Sequence, residues 1–222
     1  MNLAVTPLDA EFKFLTQSLM NLGYKNKEIQ FGKVKANIFE DLDLCIGCGG
    51  HGKVQFAIQT QFLLKEINAN QVFCVGAAGG ISDVVSTFDV VIGEKTIEHD
   101  YTCRFVSQPL PEFFSNQIIL EKIRLIKPAD FNLHIGTIAS GDEDIVCQSR
   151  ADEIQKTTNA LAVAWEGVGG ARSCSFLNVP FIEIRAITDM ASSSAPVDFI
   201  KNLEIAMQNI GFILKQYQLS LR

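Results

Sequence analysis

Apolar positions along this chain follow two alternating rhythms. Short continuous apolar runs read as buried strands, and longer runs with a three-to-four residue repeat read as helices. Residues 3–5 form a first strand. Pro7 and Asp9 then lead into a helix with Phe12, Leu15, Leu19 and Leu22 on one face and Gly23 as its stop. Residues 29–39 alternate as strand, with a turn or bulge at Gly32, and 42–46 is another strand. That strand runs into Gly47, Gly49, Gly50 and Gly52 and then a helix over 54–67. Residues 71–75 read as a buried strand ending on a second glycine-rich turn, 76–80. A strand over 88–97, an irregular loop over 104–116, a helix over 117–126 and a strand over 133–139 follow. Residues 150–157 are helical, and 160–163 form a short strand that delivers Trp165 and Glu166. A helix rich in small residues comes next and is broken by Asn178-Val179-Pro180. The strand over 181–187 ends on Thr188-Asp189, and an amphipathic helix over 197–219 closes the chain. Strands alternating with helices predict an α/β layered fold, in one domain over 1–222 because no composition break divides the chain.

Two charges interrupt the apolar strand over 181–187. Glu183 and Arg185 are costly there unless paired or used. One reading is an ion pair of Arg185 with Glu183 or Asp189 that only holds the sheet. The other is function, because ligands in α/β sheets gather at the carboxyl ends of strands, where Asp189 stands.

Composition narrows the possible partners. The chain has 222 residues, 47% of them hydrophobic, and a formal net charge of −6. That charge argues against a nucleic-acid surface. The densest basic stretch, Lys25, Lys27, Lys33 and Lys35, reads as the solvated face of a hairpin. No apolar run is long enough to span a membrane, and the amino-terminal stretch has no basic region of a signal peptide. Most of the six cysteines lie in apolar stretches and read as small hydrophobes, in a reducing, cytoplasmic setting.

Several motifs admit a chemical reading. The turns at 47–52 and 76–80 can bring backbone amides close to a ligand, although neither matches a P-loop or dinucleotide fingerprint. Cys45, Cys48 and His51 have metal-like spacing, but no second ligand pair follows, so no metal is expected. His99-Asp100 follows a Val-rich strand and either lines a cleft or carries a hydrogen-bonded strand-end histidine. Ser140-Gly141-Asp142 either positions a ligand or caps a turn. No serine-hydrolase elbow is present.

In their order, these segments resemble the nucleoside phosphorylase/nucleosidase superfamily, nearest to the 5′-methylthioadenosine/S-adenosylhomocysteine nucleosidases. The resemblance runs through Pro7 to Glu11, Gly49 to Val54, Gly76 to Ile81, Gly136 to Asp142, Trp165-Glu166, and Asn178 through Asp189. It implies a three-layer α/β/α sandwich around a mixed, partly barrel-like central sheet, and a homodimer. It implies hydrolysis of the N-glycosidic bond of an adenine-type nucleoside, with no cofactor. A phosphorylase, a futalosine-type hydrolase and a non-catalytic nucleoside-binding relative are the alternatives. By resemblance, Asp189 is the acid at purine N7, Glu166 holds the ribose hydroxyls, and Glu11 with Arg185 activates and orients water. Ala77, Gly79, His99, Asp144, Ile145, Trp165, Thr188 and Phe199 are the expected substrate contacts, with the region of Phe105, Phe113 and Phe114 over the 5′ end. Three positions depart from the family pattern. Trp165 replaces a methionine under the ribose, Asp144 stands in place of a base-stacking phenylalanine, and Ala77 replaces a serine.

Overall fold

Ten strands join into one mixed sheet in the computed structural model, which describes residues 1–222. The strands are β1 (Asn2–Thr6), β2 (Lys27–Phe31), β3 (Val34–Phe39), β4 (Leu44–Cys48), β5 (Val72–Gly80), β6 (Val90–Glu98), β7 (Glu112–Phe114), β8 (Leu133–Ser140), β9 (Ala160–Ala164) and β10 (Phe181–Asp189). The helices are α1 (Asp9–Asn21), α2 (Lys53–Ile67), α3 (Gln117–Arg124), α4 (Gln148–Thr158), α5 (Gly167–Leu177) and α6 (Ala195–Leu219).

The sheet runs β10-β6-β8-β9-β5-β1-β4-β3-β2, and β10 also pairs with β5. That extra pairing closes β5, β10, β6, β8 and β9 into a five-stranded barrel, from which β1, β4, β3 and β2 extend as a wing. β10 lies at the seam, parallel to β5 and antiparallel to β6. All nine of its residues are buried, as expected of a strand covered on both faces. The expected α/β layering around a partly barrel-like mixed sheet is what the chain adopts.

Helices cover both faces. Leu15 and Leu19 of α1, Ile119, Leu120 and Ile123 of α3, and the apolar face of α6 share one core with Phe73, Ile182 and Ile184 of the sheet. Phe56, Leu63 and Leu64 of α2 and Ala171 and Cys174 of α5 share the core on the other side. Asn202 of α6 donates to the Thr188 carbonyl at 2.8 Å, which ties α6 to the end of β10.

Local chemistry explains most boundaries. α2, α4 and α5 each end on an asparagine in the left-handed region: Asn68, Asn159 and Asn178. Asn116 caps α3 by accepting from the amides of Ile118 and Ile119. Pro196 sits in the first turn of α6, where its missing N–H costs nothing.

Three expectations change. The second glycine-rich segment is no turn into a helix, because β5 continues through Gly80. Hydrogen bonding to both β10 and β9 keeps these small residues extended, and no local periodicity reports that pairing. The strand expected over 42–46 begins at Leu44, after a single helical turn that includes Leu42. The loop over 104–116 contains β7, paired antiparallel with β6. The basic stretch lies on the β2–β3 hairpin as expected, with Lys27, Lys33 and Lys35 all exposed.

α2 and α5 approach closely because α5 is built from small residues. A side chain at Gly169 would strike the backbone carbonyl of Lys53 at the start of α2. Backbone cannot swing aside as a side chain can, so Gly169→Ala should lower stability by about 1–3 kcal/mol, as overpacking does. The check is a lower urea midpoint with an unchanged denaturant slope.

Candidate active site

The carboxyl ends of β5, β9 and β10, with the segment after β1 and the start of α6, surround a cavity of about 430 Å³. Glu11, Ala77, Gly79, Asp144, Ile145, Trp165, Glu166, Arg185, Thr188, Asp189 and Phe199 all line it. Chain segments far apart in sequence therefore deliver nearly every expected site residue to one place.

Arg185 is 1% exposed and lies opposite Gly76 in the β10–β5 register. Its Nε donates to Glu183 Oε1 at 2.8 Å, and its Nη1 donates to the Ala77 carbonyl at 3.3 Å. Nη2 reaches Cys74 Sγ at 3.5 Å and lies 3.6 Å from Glu166 Oε2. Burial works against the guanidinium charge, but the acids around it outweigh burial and hold its pKa above the ordinary value. Asp189 is not its partner. The ion pair is with Glu183, which also accepts from Thr96 Oγ1 at 2.6 Å. Gly167 is obligatory here, because any side chain on it would occupy the position of the Glu183 carboxylate.

Glu11 enters from α1. Its two oxygens accept from the amides of Leu8 at 2.9 Å and Ala77 at 2.7 Å, so one carboxylate joins the helix start to β5. A Cβ at Gly76 would lie 2.7 Å from both Glu11 Oε1 and Arg185 Nη1. The missing side chain leaves room for both groups on the same side of β5. Burial, with a contribution from the nearby Glu166, pushes the Glu11 carboxyl up to about 7, against the opposing pull of Arg185.

Glu166 stands at the start of α5. Its Oε1 accepts from the Gly52 amide at 3.3 Å and lies 3.3 Å from His51 Nδ1. Burial raises its pKa, while Arg185 and the Gly52 amide oppose the rise. The Trp165 carbonyl accepts from Ser140 Oγ at 2.7 Å, and the same hydroxyl accepts from the Val168 amide at 3.0 Å.

Asp189 ends β10 just past a register shift against β5 that places it opposite Gly79. A Cβ at Gly79 would come within 3.1 Å of Asp189 Oδ1. Thr188 Oγ1 donates to Oδ2 at 2.9 Å and the Ala191 amide to Oδ1 at 3.0 Å. Burial raises the Asp189 pKa despite these two donors. The cavity therefore holds three acids, Glu11, Glu166 and Asp189, whose pKa values burial raises and which are served by different partners.

Some expected residues lie elsewhere. His99 does not line the cavity; its side chain is 1% exposed, wedged against Gly141, with Nδ1 3.9 Å from Glu143. Its amide donates to the Ser140 carbonyl at 3.0 Å, which holds it beside the end of β8. Phe113 packs under Arg172 and Phe114 under Lys95, both on β7, and Phe105 is fully exposed. None of the three lines the cavity. Asp142 accepts from the Lys53 amide at 2.8 Å and so caps α2 from a distant loop. The Cys45-Cys48-His51 spacing brings no metal set together: Cys45 is buried in β4, and Cys48 Sγ faces the Pro7 carbonyl at 3.8 Å. His51 instead stacks on Trp165, with ring centroids 4.2 Å apart and planes at 28°. Sequence reasoning missed His51 as a cavity residue; its place between two glycines before a helix was the available signal.

Residues 3–218 match the family model of the phosphorylase superfamily. The chain belongs to that superfamily. It is 29% identical over 210 residues to a 5′-methylthioadenosine/S-adenosylhomocysteine nucleosidase of Staphylococcus aureus (strain bovine RF122 / ET3-1), covering 90% of each chain. The solved nucleosidase of the same name from Neisseria meningitidis, in complex with methylthio-immucillin-A, superposes with a TM-score of 0.85 at 27% identity, over 98% of each chain. A nucleosidase from S. pneumoniae, solved with the transition-state inhibitor MT-ImmA, shares the fold at a TM-score of 0.87 and 24% identity over the full length of both chains.

The position of Glu11 has a cost in stability. Its carboxyl binds a proton more tightly in the folded state, at about 7, than its ordinary value of 4.5 allows in the unfolded chain. Its contribution to stability is therefore complete below about pH 4.5 and lost as pH rises through about 7. The stability of Glu11→Gln relative to the parent should rise by on the order of 2–3 kcal/mol between pH 5 and pH 8. Calorimetry at the two pH values checks this, and a gap that does not change with pH contradicts it.

Proposed function

We propose that this chain hydrolyses the N-glycosidic bond of an adenine-type nucleoside such as 5′-methylthioadenosine or S-adenosylhomocysteine. The observation that carries the reading is that two buried acids with different partners, Glu11 and Asp189, line one cavity together with Glu166 and Arg185. As the bond from C1′ to the purine breaks, the ribose takes on oxocarbenium character. Asp189, biased toward its protonated form, gives a proton to purine N7 and neutralises the leaving base. Glu11, titrating near neutrality, takes the proton of the water whose oxygen bonds to C1′. Glu166 accepts from the ribose hydroxyls. The guanidinium of Arg185 is already engaged by Glu183 and Ala77, so its part is to hold the local field that keeps Glu11 and Glu166 usable as anions.

Electrostatics favours water over phosphate as the nucleophile. Glu11, Glu143, Asp144, Glu166 and Asp189 line the cavity with a single arginine, whose charge Glu183 already meets. A phosphate dianion would enter against that field. The small Ala77 side chain in β5 also offers it no hydroxyl.

Asp189→Asn should lower kcat by orders of magnitude with a smaller change in ligand affinity, because the lost proton transfer belongs to the transition state. The loss should be larger on adenosine-type than on inosine-type substrates, since an amide can still donate to a 6-oxo group. Glu11→Gln should lower the rate by about a hundredfold or more. In the parent, kcat/KM should fall as pH drops through about 7, because the base must be ionised. Product analysis with and without phosphate completes the test: free ribose product supports the reading, and a ribose 1-phosphate product replaces it with phosphorolysis.

We also infer a homodimer in a reducing, cytoplasmic setting. Val54, Ile58 and Phe62 fall one turn apart on α2 and are 71%, 63% and 38% exposed, an apolar stripe suited to a second copy of the chain. All six cysteines are unpaired, and no helix is long and apolar enough to cross a membrane. Sedimentation velocity should give a dimer that Ile58→Asp converts to monomer; a parent that is already monomeric removes this inference.

A further inference from the structure

We propose that His51 is a substrate-positioning residue, which holds Trp165 flat as an aromatic wall of the cavity and shares the Glu166 carboxylate with the substrate. The kinetic part of this inference rests on the nucleosidase reading; the conformational part does not.

Three observations meet at this residue. His51 is carried between Gly50 and Gly52, whose φ values of 79° and 82° suit glycine and fix the turn that presents the imidazole. Its ring stacks on the indole of Trp165 at 4.2 Å and 28°. Its Nδ1 lies 3.3 Å from Glu166 Oε1, the oxygen that also accepts from the Gly52 amide. The backbone of Trp165 is held by Ser140, but no hydrogen bond holds its indole. The stack with His51 is therefore what selects the rotamer that lines the cavity. Glu166 follows Trp165 directly, so one turn of chain, Gly50 to Gly52, sets both an aromatic face and a carboxylate.

A nucleoside has the matching chemistry: flat and apolar surface for the indole, and paired hydroxyls for the carboxylate. Both contacts exist before the bond breaks and persist while it breaks. Losing them should therefore weaken binding more than turnover. His51 is itself half-exposed, with a side chain 53% accessible, so it can be replaced without opening a hole in the core.

Trp165 is the only tryptophan in the chain, which gives a readout independent of activity. In the ligand-free protein, His51→Ala should raise the acrylamide quenching constant of the indole about twofold as one ring face is uncovered, while His51→Phe, which keeps a stacked ring, should leave it near the parent value. With 5′-methylthioadenosine as substrate, His51→Ala should raise KM about tenfold with kcat within about threefold, and His51→Phe should recover most of that loss. Unchanged quenching in His51→Ala overturns the stacking role. Unchanged KM in His51→Ala, or a His51→Phe variant no better than the alanine, overturns the positioning role. If the parent cleaves no nucleoside, the function reading fails, while the quenching comparison still decides the stack.

Discussion

A positive charge buried in the middle of a strand is the constraint on which the rest of this structure depends. Isolated, the guanidinium of Arg185 would stay charged inside a closed barrel at a large cost in desolvation. The fold supplies Glu183 two residues away on the same strand, the Ala77 carbonyl across the β5 pairing, and Glu166 from the start of α5. Each partner places a demand on a further residue. Glu183 needs Thr96 for its second oxygen and the empty side of Gly167 for its volume. Glu11 and Arg185 both occupy space that a side chain at position 76 would take. Removing Glu183 alone would leave the Arg185 guanidinium buried without its 2.8 Å partner, which is dearer than losing the pair altogether.

The same arrangement leaves the cavity poised rather than settled. Arg185 lowers the pKa values of Glu11 and Glu166 without offsetting their burial, and burial separately raises that of Asp189. Such sites are where a protein gives up stability for chemistry. The acids are also kept apart in role by their partners. Glu11 is held by two backbone amides, Asp189 by a hydroxyl and one amide, and Glu166 by an amide and an imidazole. Barrel closure through the β10–β5 pairing sets the distances between them, because β10 carries both Arg185 and Asp189 while β5 carries the glycines that admit them.

Much of this was legible in the residues alone. The order of strands and helices follows from apolar rhythm, and the asparagine-ended helices and Pro196 mark their own boundaries. Glu183 and Arg185 declared themselves because charge is expensive in an apolar strand. The motif at 178–189 and the Trp165-Glu166 pair, read by resemblance, located the cavity residues. These signals are local: each depends on a residue's own chemistry or on neighbours a few positions away.

Only the tertiary structure decided the rest, because it depends on contacts between distant segments. Whether Gly76 to Gly80 turned or stayed extended was set by hydrogen bonds from β10 and β9, more than eighty positions away. Which acid took Arg185 was set by the geometry of β10, in which Glu183 lies on the same side of the strand while Asp189, past the register shift, faces the cavity. His99 looked available at a strand end but lies under Gly141, and His51 looked like part of a cysteine-spaced motif but stacks on a tryptophan over a hundred residues later. A sequence carries the cost of each buried group; where its compensation lies is a property of packing.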